Sequence, residues 1–253
     1  MIWAVPAELN LRRGIGLCKY PPSMKRLIMF DIDGTLTRTQ NGFIPFNQAI
    51  WDTFGVAGDI RSIHPDGMTD PRILDEILAK SGARLAIGED QITQFAMHLE
   101  RSYAGALRAD AIKVGALAGV PELLEQLSAQ GEIGQGVVTG NFEATARIKL
   151  EAAGLAGHLK FGAYASDSSH RPDLPAIAKQ RWEKSAGRSM DAACCVIVGD
   201  TPKDLEAARA NDMKCVLVGT GRYPIEDLRY YAPDACVADL TDTAELVALL
   251  MRI

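Results

Sequence analysis

The stretch LIMFDIDGTLT, Leu27 to Thr37, decides how the chain is read. An apolar run of the kind that forms a buried strand ends on two aspartates one residue apart, then passes at once into Gly34 and Thr35. Residues at i and i+2 of an extended chain project to the same side, so Asp31 and Asp33 bring two like charges to one place. Such crowding calls for a compensating cation.

Two further apolar runs end in comparable ways. In VVTGN, Thr139, Gly140 and Asn141 stand between a strand and a helix, where free backbone N–H groups and the helix dipole favour a phosphate. VIVGDTPKD ends a strand on Asp200 and puts Asp204 within the next turn, adding carboxylates with hard-cation chemistry. In an open α/β sheet the carboxyl ends of the strands share one crevice, so these groups can converge there. A magnesium ion taking oxygen ligands from Asp31 and Asp200 would offset their repulsion. Taken singly, each motif is also an ordinary turn: Asp200 or Thr201 can cap a helix, and TGN is a common strand-to-helix loop. The three in this order, each at a strand end, carry the functional reading.

From Glu122 onward, strand and helix patterns alternate. QGVVTG, CCVIVGD, KCVLVG and DACVAD read as strands, with helical spacing around Leu123–Leu127 and over Phe142–Ala153, Lys203–Ala210, Ile225–Tyr231 and Thr243–Met251. This alternation predicts a parallel sheet covered on both faces. Between Asn41 and Ala111 only helical candidates occur, around Phe46–Phe54, Arg72–Ser81 and Gln91–Leu107, separated by breaks such as HPDGMTDP. The expected architecture is an α/β, Rossmann-like parallel-sheet core, residues 24–40 and 112–253, carrying an all-helical cap, residues 41–111. Residues 1–23 lack the long apolar stretch of a secretory signal and read as an extension; Met24 is an alternative start, and an ordered N-terminal arm the other possibility.

Composition narrows the partners. The 253 residues are 47% hydrophobic and carry a net charge of −5, so no global positive field draws the chain to nucleic acid or anionic lipid. No apolar segment approaches the roughly 18 residues of a membrane span. Five cysteines without a CxxC pair, two of them in the apolar run AACCVIVGD, read as reduced core residues of a cytoplasmic protein. The four histidines show no zinc-site spacing. A small phosphorylated molecule is the expected partner; oligomeric state is not legible.

DIDGTLT, VVTGN, the basic residue in HRPDLPAIA and VIVGDTPKDLEAARA together resemble the haloacid dehalogenase superfamily of aspartate-nucleophile phosphotransferases. The placement of the cap between the first two motifs is similar to that of phosphoglycolate phosphatase-like members. What the resemblance implies is a magnesium-dependent phosphatase. Asp31 would be nucleophile and metal ligand, and Asp33 general acid and base and a further metal ligand. Thr139, Gly140 and Asn141 would bind phosphate, Asp200 would complete the metal carboxylates, and Asp204 would support them. The family usually presents a lysine or arginine before a KPxP-like segment; here Arg171 holds that place, keeping the charge and altering the geometry, with Lys149 and Lys160 as less favoured substitutes.

The chemistry of those roles has its own basis. A carboxylate can attack phosphorus to give an acyl phosphate, splitting hydrolysis into two steps. A second carboxyl two residues on can protonate the leaving alkoxide and then take a proton from the attacking water. Thr35 offers a hydroxyl near the incoming phosphate. In the cap, Thr69 and Asp70 are available for substrate contact, although either also suits the N-cap of the helix beginning near Pro71. The competing readings are a sugar phosphomutase, which uses the same two aspartates, and a non-catalytic, receiver-like protein that binds magnesium. The particular phosphate ester is not legible.

Overall fold

The structure is a computed structural model that describes residues 26–82, 87–131 and 133–253. The proposed extension, Met24 and Cys18 lie outside the described residues. The described residues open with β1 (Arg26–Phe30), and β2 (Thr37–Gln40) pairs antiparallel with β3 (Lys113–Ala116) as a two-stranded ribbon. Between the ribbon strands come α1 (Phe43–Phe54), α2 (Asp70–Lys80) and α3 (Glu89–Arg108). After it, the alternation runs α4 (Val120–Ala129), β4 (Ile133–Val138), α5 (Glu143–Ala152), β5 (Phe161–Ala163), α6 (Leu174–Ala186), β6 (Cys195–Gly199), α7 (Pro202–Arg209), β7 (Lys214–Val218), α8 (Ile225–Tyr230), β8 (Ala235–Val237) and α9 (Thr243–Arg252).

Among the described residues, six strands form one parallel sheet in the order β5-β4-β1-β6-β7-β8. The period of two along each strand feeds both faces. Ile28, Phe30, Val196, Val198, Val216 and Val218 pack with α4, α5 and α9. Leu27, Met29, Cys195, Ile197, Cys215 and Leu217 pack with α6, α7 and α8 on the other side. That double burial explains why these strands read as unbroken apolar runs. Chain order reverses on either side of β1, between β4 and β6, so the switch point, and the crevice that goes with it, opens at the carboxyl end of β1.

The cap has its own core, in which Phe46, Ile50, Leu74, Ile77, Phe95 and Leu99 meet and Phe142 enters from the sheet side. Phe95 contacts Phe46 and Phe142 edge to face, with centroids 5.3 and 6.2 Å away. The sequence reading passed over α6, β5 and the ribbon. β5 has three residues, FGA, and β2 is the polar run TRTQ, so neither carries a hydrophobic signature. Cys195, Cys215 and Cys236 are free thiols, as expected. None of the described helices is long and apolar enough to cross a membrane.

Candidate active site

Asp31 is set by the sheet itself. Its N–H donates to the Val198 carbonyl at 2.9 Å, carrying the β1–β6 ladder one residue past β1. The chain then turns tightly, with the Ile32 carbonyl accepting from both Leu36 N (2.9 Å) and Thr37 N (2.8 Å). Gly34 makes that turn at φ +82°, and a Cβ there would lie 2.4 Å from Asp200 Oδ2. Backbone conformation and close approach both demand glycine.

Carboxylate oxygens of Asp31, Asp200 and Asp204, all buried, lie within 4.8 Å of one another. Arg171, buried in the short turn before α6, places Nη2 2.6 Å from Asp204 Oδ1 and 3.2 Å from Asp31 Oδ1. Asp204 Oδ2 also accepts from the N–H (3.1 Å) and hydroxyl (2.8 Å) of Thr201 at the start of α7. The Thr35 hydroxyl donates to Asp200 Oδ1 at 3.1 Å, so it positions a carboxylate instead of facing a phosphate as expected. Burial pushes the Asp31 carboxyl up, against the pull of Arg171. Burial does the same to Asp200, reinforced by the charges of Asp31 and Asp204. One guanidinium among three buried carboxylates leaves an excess of negative charge that a hard divalent cation would neutralise, so the residues fit such an ion.

Asp33 belongs to a second cluster. Its Oδ2 accepts from Lys149 Nζ at 2.6 Å and from Asn141 Nδ2 at 2.8 Å, and its carboxylate is not part of the Asp31–Asp200–Asp204 group. Lys149, on α5 and buried, also donates to Asn141 Oδ1 at 2.7 Å and lies 5.2 Å from the centre of the Tyr103 ring. Burial alone would lower its pKa, but Asp33, Tyr103 and Asp70 raise it, so it is a fixed cation. Lys149, less favoured than Arg171 from the sequence, is brought here by α5, which starts two residues after Asn141. Asn141 Nδ2 bonds Thr139 Oγ1 as well, at 2.9 Å.

The cap loop reaches down onto these groups. Asp70 N donates to the Gly140 carbonyl at 2.7 Å, Asp70 Oδ2 accepts from Phe142 N at 2.8 Å, and the Thr69 hydroxyl donates to the Ser169 carbonyl at 2.7 Å. Thr69 occupies the N-cap position of α2, yet neither side chain caps the helix; both tie the loop to the core. A Cβ on Gly140 would lie 2.0 Å from the Met68 carbonyl oxygen, so only glycine permits this approach. Burial pushes the Asp70 carboxyl up to about 7, against the pull of Lys149. Beneath the loop is a cavity of about 290 Å³ lined by Asp31, Asp33, Thr139, Gly140, Asn141, Arg171 and Asp200, with Asp70 on its cap side. Thr69 lines a neighbouring cleft, and His170 is an exposed residue bonded to Asp173.

A sequence model described as haloacid dehalogenase-like hydrolase matches residues 28–218. The chain is 27% identical over 238 residues, 91% of its length and 96% of the relative's, to the probable phosphatase IndB of Dickeya dadantii (strain 3937). Among solved structures, it is similar to a hydrolase from Pseudomonas syringae, with a TM-score of 0.66 at 24% identity over 89% of this chain and 99% of that one. It is also similar to a predicted phosphoglycolate phosphatase from Haemophilus somnus 129pt, with a TM-score of 0.62 at 23% identity over 88% and 98% of the two chains.

Proposed function

The chain belongs to the haloacid dehalogenase-like hydrolases, and from that premise we propose that it is a magnesium-dependent phosphatase acting on a small phosphate monoester through a phosphorylated Asp31. The observation that carries this is the buried Asp31 carboxylate, held at the switch point between Arg171 and two further carboxylates. The name of the Dickeya relative, a probable phosphatase, agrees with it.

The Asp31 carboxylate attacks phosphorus and the ester P–O bond breaks, with Asp33 supplying a proton to the departing alkoxide. Asp33 then takes a proton from a water that attacks the acyl phosphate, the phosphorus–Asp31 bond breaks, and inorganic phosphate leaves. Both hydrogen bonds to Asp33 fall on Oδ2, which leaves Oδ1 for this work. Arg171 offers its guanidinium to the phosphoryl oxygens, and Thr139 to Asn141 line their side of the cavity. Asp31 and Asp200 would hold the magnesium ion, supported by Asp204, and the ion would neutralise charge on the phosphoryl oxygens. Residues 41–111 serve as the cap that excludes water and selects the leaving group.

Phosphate release from a panel of monoesters, with and without magnesium, tests the reading in wild type and Asp31→Asn. Release that needs the ion and disappears in the variant is expected. Release that survives Asp31→Asn would refute the nucleophile, and isomerisation of a sugar phosphate without release would replace the phosphatase by a mutase.

A further inference from the structure

The loop between β7 and α8, residues 219–224, supplies no group to the chemistry derived above, yet it is fastened to several parts of the molecule at once. The Thr220 hydroxyl donates to the Gly34 carbonyl, and the Thr220 carbonyl accepts from Arg38 Nη2 at 2.7 Å, which ties the loop to the turn after β1 and to the ribbon. At Gly221 the backbone presses on the carboxylate cluster: a Cβ there would meet Asp200 Oδ2 at 1.7 Å. Arg222 leaves this anchored backbone toward the cap. Its Nη1 lies 2.7 Å from His64 Nδ1 and its Nε 3.4 Å from Asp66 Oδ2. A guanidinium has donors and no acceptor, so His64 Nδ1 accepts this bond.

His64 and Asp66 begin the cap loop whose far end, at Thr69 and Asp70, is bonded to Ser169, Gly140 and Phe142. Between the two ends, Asp66, Gly67 and Met68 form part of the cavity wall. Among the described residues, Arg222 is the hydrogen-bond and ion-pair partner of both the His64 and the Asp66 side chain. The Arg222 side chain is 58% exposed, so its ion pair adds little to global stability. What it adds is registration, because the planar guanidinium engages two residues of the loop from a backbone that Gly221 and Thr220 hold in place.

We propose that Arg222 is a positioning residue for the cap, fixing residues 64–68 over the cavity from the end of β7. The kinetic part of its test rests on the phosphatase reading; the structural part does not. A loop that is in place for only a fraction of the time lowers apparent substrate affinity by that fraction. Once substrate has drawn the loop down, the reacting groups are unchanged, so KM rises while kcat is kept.

Arg222→Ala and Arg222→Lys are compared with wild type by hydrogen exchange of residues 64–70 and by steady-state kinetics with nitrophenyl phosphate. Arg222→Ala should exchange about fivefold faster in that segment, with β1, β6 and β7 unchanged, and should raise KM about three- to tenfold at a kcat within about twofold of wild type. Arg222→Lys keeps a cation for Asp66 and should recover part of both effects. Wild-type exchange at 64–70 in Arg222→Ala would overturn the proposal, and so would a loss of kcat without a rise in KM. Absence of turnover in wild type would remove the phosphatase reading instead, and the exchange rates would still decide the role of Arg222.

Discussion

Lys149 Nζ sits 2.6 Å from Asp33 Oδ2, a buried ammonium on α5 fixing the carboxylate that follows β1 by three residues. The pair joins the first strand's loop to the helix after β4, so the geometry of Asp33 depends on a residue far away in sequence. Lys149→Met leaves Asp33 and Asn141 Oδ1 without their common donor. The Asp33 side chain is 43% exposed and can rehydrate, so the stability cost should be modest, about 1–2 kcal/mol. The effect on kcat should be larger, about 10- to 100-fold, because a loosened acid/base group loses its alignment. A double-mutant cycle with Asp33→Asn checks the coupling: the two kcat losses should be far from additive, and additive losses would mean that Lys149 acts elsewhere.

Arg171 makes the opposite kind of contact, one cation shared by Asp31 and Asp204. Arg171→Met removes the guanidinium from a group of three buried carboxylates. Stability without divalent cation should fall by about 3 kcal/mol or more, because uncompensated buried charge remains. Added magnesium should raise Tm more in the variant than in wild type, since the ion then answers a larger excess of charge. Thermal unfolding with and without magnesium measures both, and equal magnesium shifts would count against an ion at this cluster.

Gly140 tests the contact between cap loop and core. A Cβ at that position meets the Met68 carbonyl oxygen at 2.0 Å, and the Gly140 carbonyl itself accepts from Asp70 N at 2.7 Å. Gly140→Ala must push the loop outward and break that bond. Expected is a loss of about tenfold or more in kcat/KM, with far-UV circular dichroism unchanged, because the sheet does not depend on the contact. Wild-type kinetics in Gly140→Ala would show that the loop need not close on the core.

The strand ends were legible because burial on both faces makes β1 and β6 continuous apolar runs, and each stops just before an aspartate, Asp31 or Asp200, that lines the crevice. Asp31, Asp200 and Asp204 could therefore be assigned to one place before any coordinates. The role of Lys149 could not, since nothing in the local spacing says that α5 lies against the loop carrying Asp33; that follows only from β4 lying beside β1. The same holds for Asp70. As a residue at a helix start it reads as a cap, and only the docking of the cap loop turns its carboxylate to Phe142 N. α6 was missed because its apolar and polar residues are poorly segregated in LPAIAKQRWEKSA.

Asp70 should also leave a signature in pH-dependent stability. Its carboxyl is raised by burial from 3.8 to about 7, with Lys149 pulling down and Asp33 pushing up. A raised acid is protonated in the folded state where the unfolded chain has already lost its proton, so its stabilising contribution is full below about pH 4 and disappears as pH rises through about 7. Asp70→Asn keeps an oxygen to accept from Phe142 N and removes the titration. Relative to wild type, the variant should therefore gain about 2–4 kcal/mol between about pH 4 and about pH 8, the scale set by a shift of that size. Urea unfolding of both proteins at the two pH values measures the gain. A difference that stays constant across the window would mean that Asp70 does not change protonation between the folded and unfolded states.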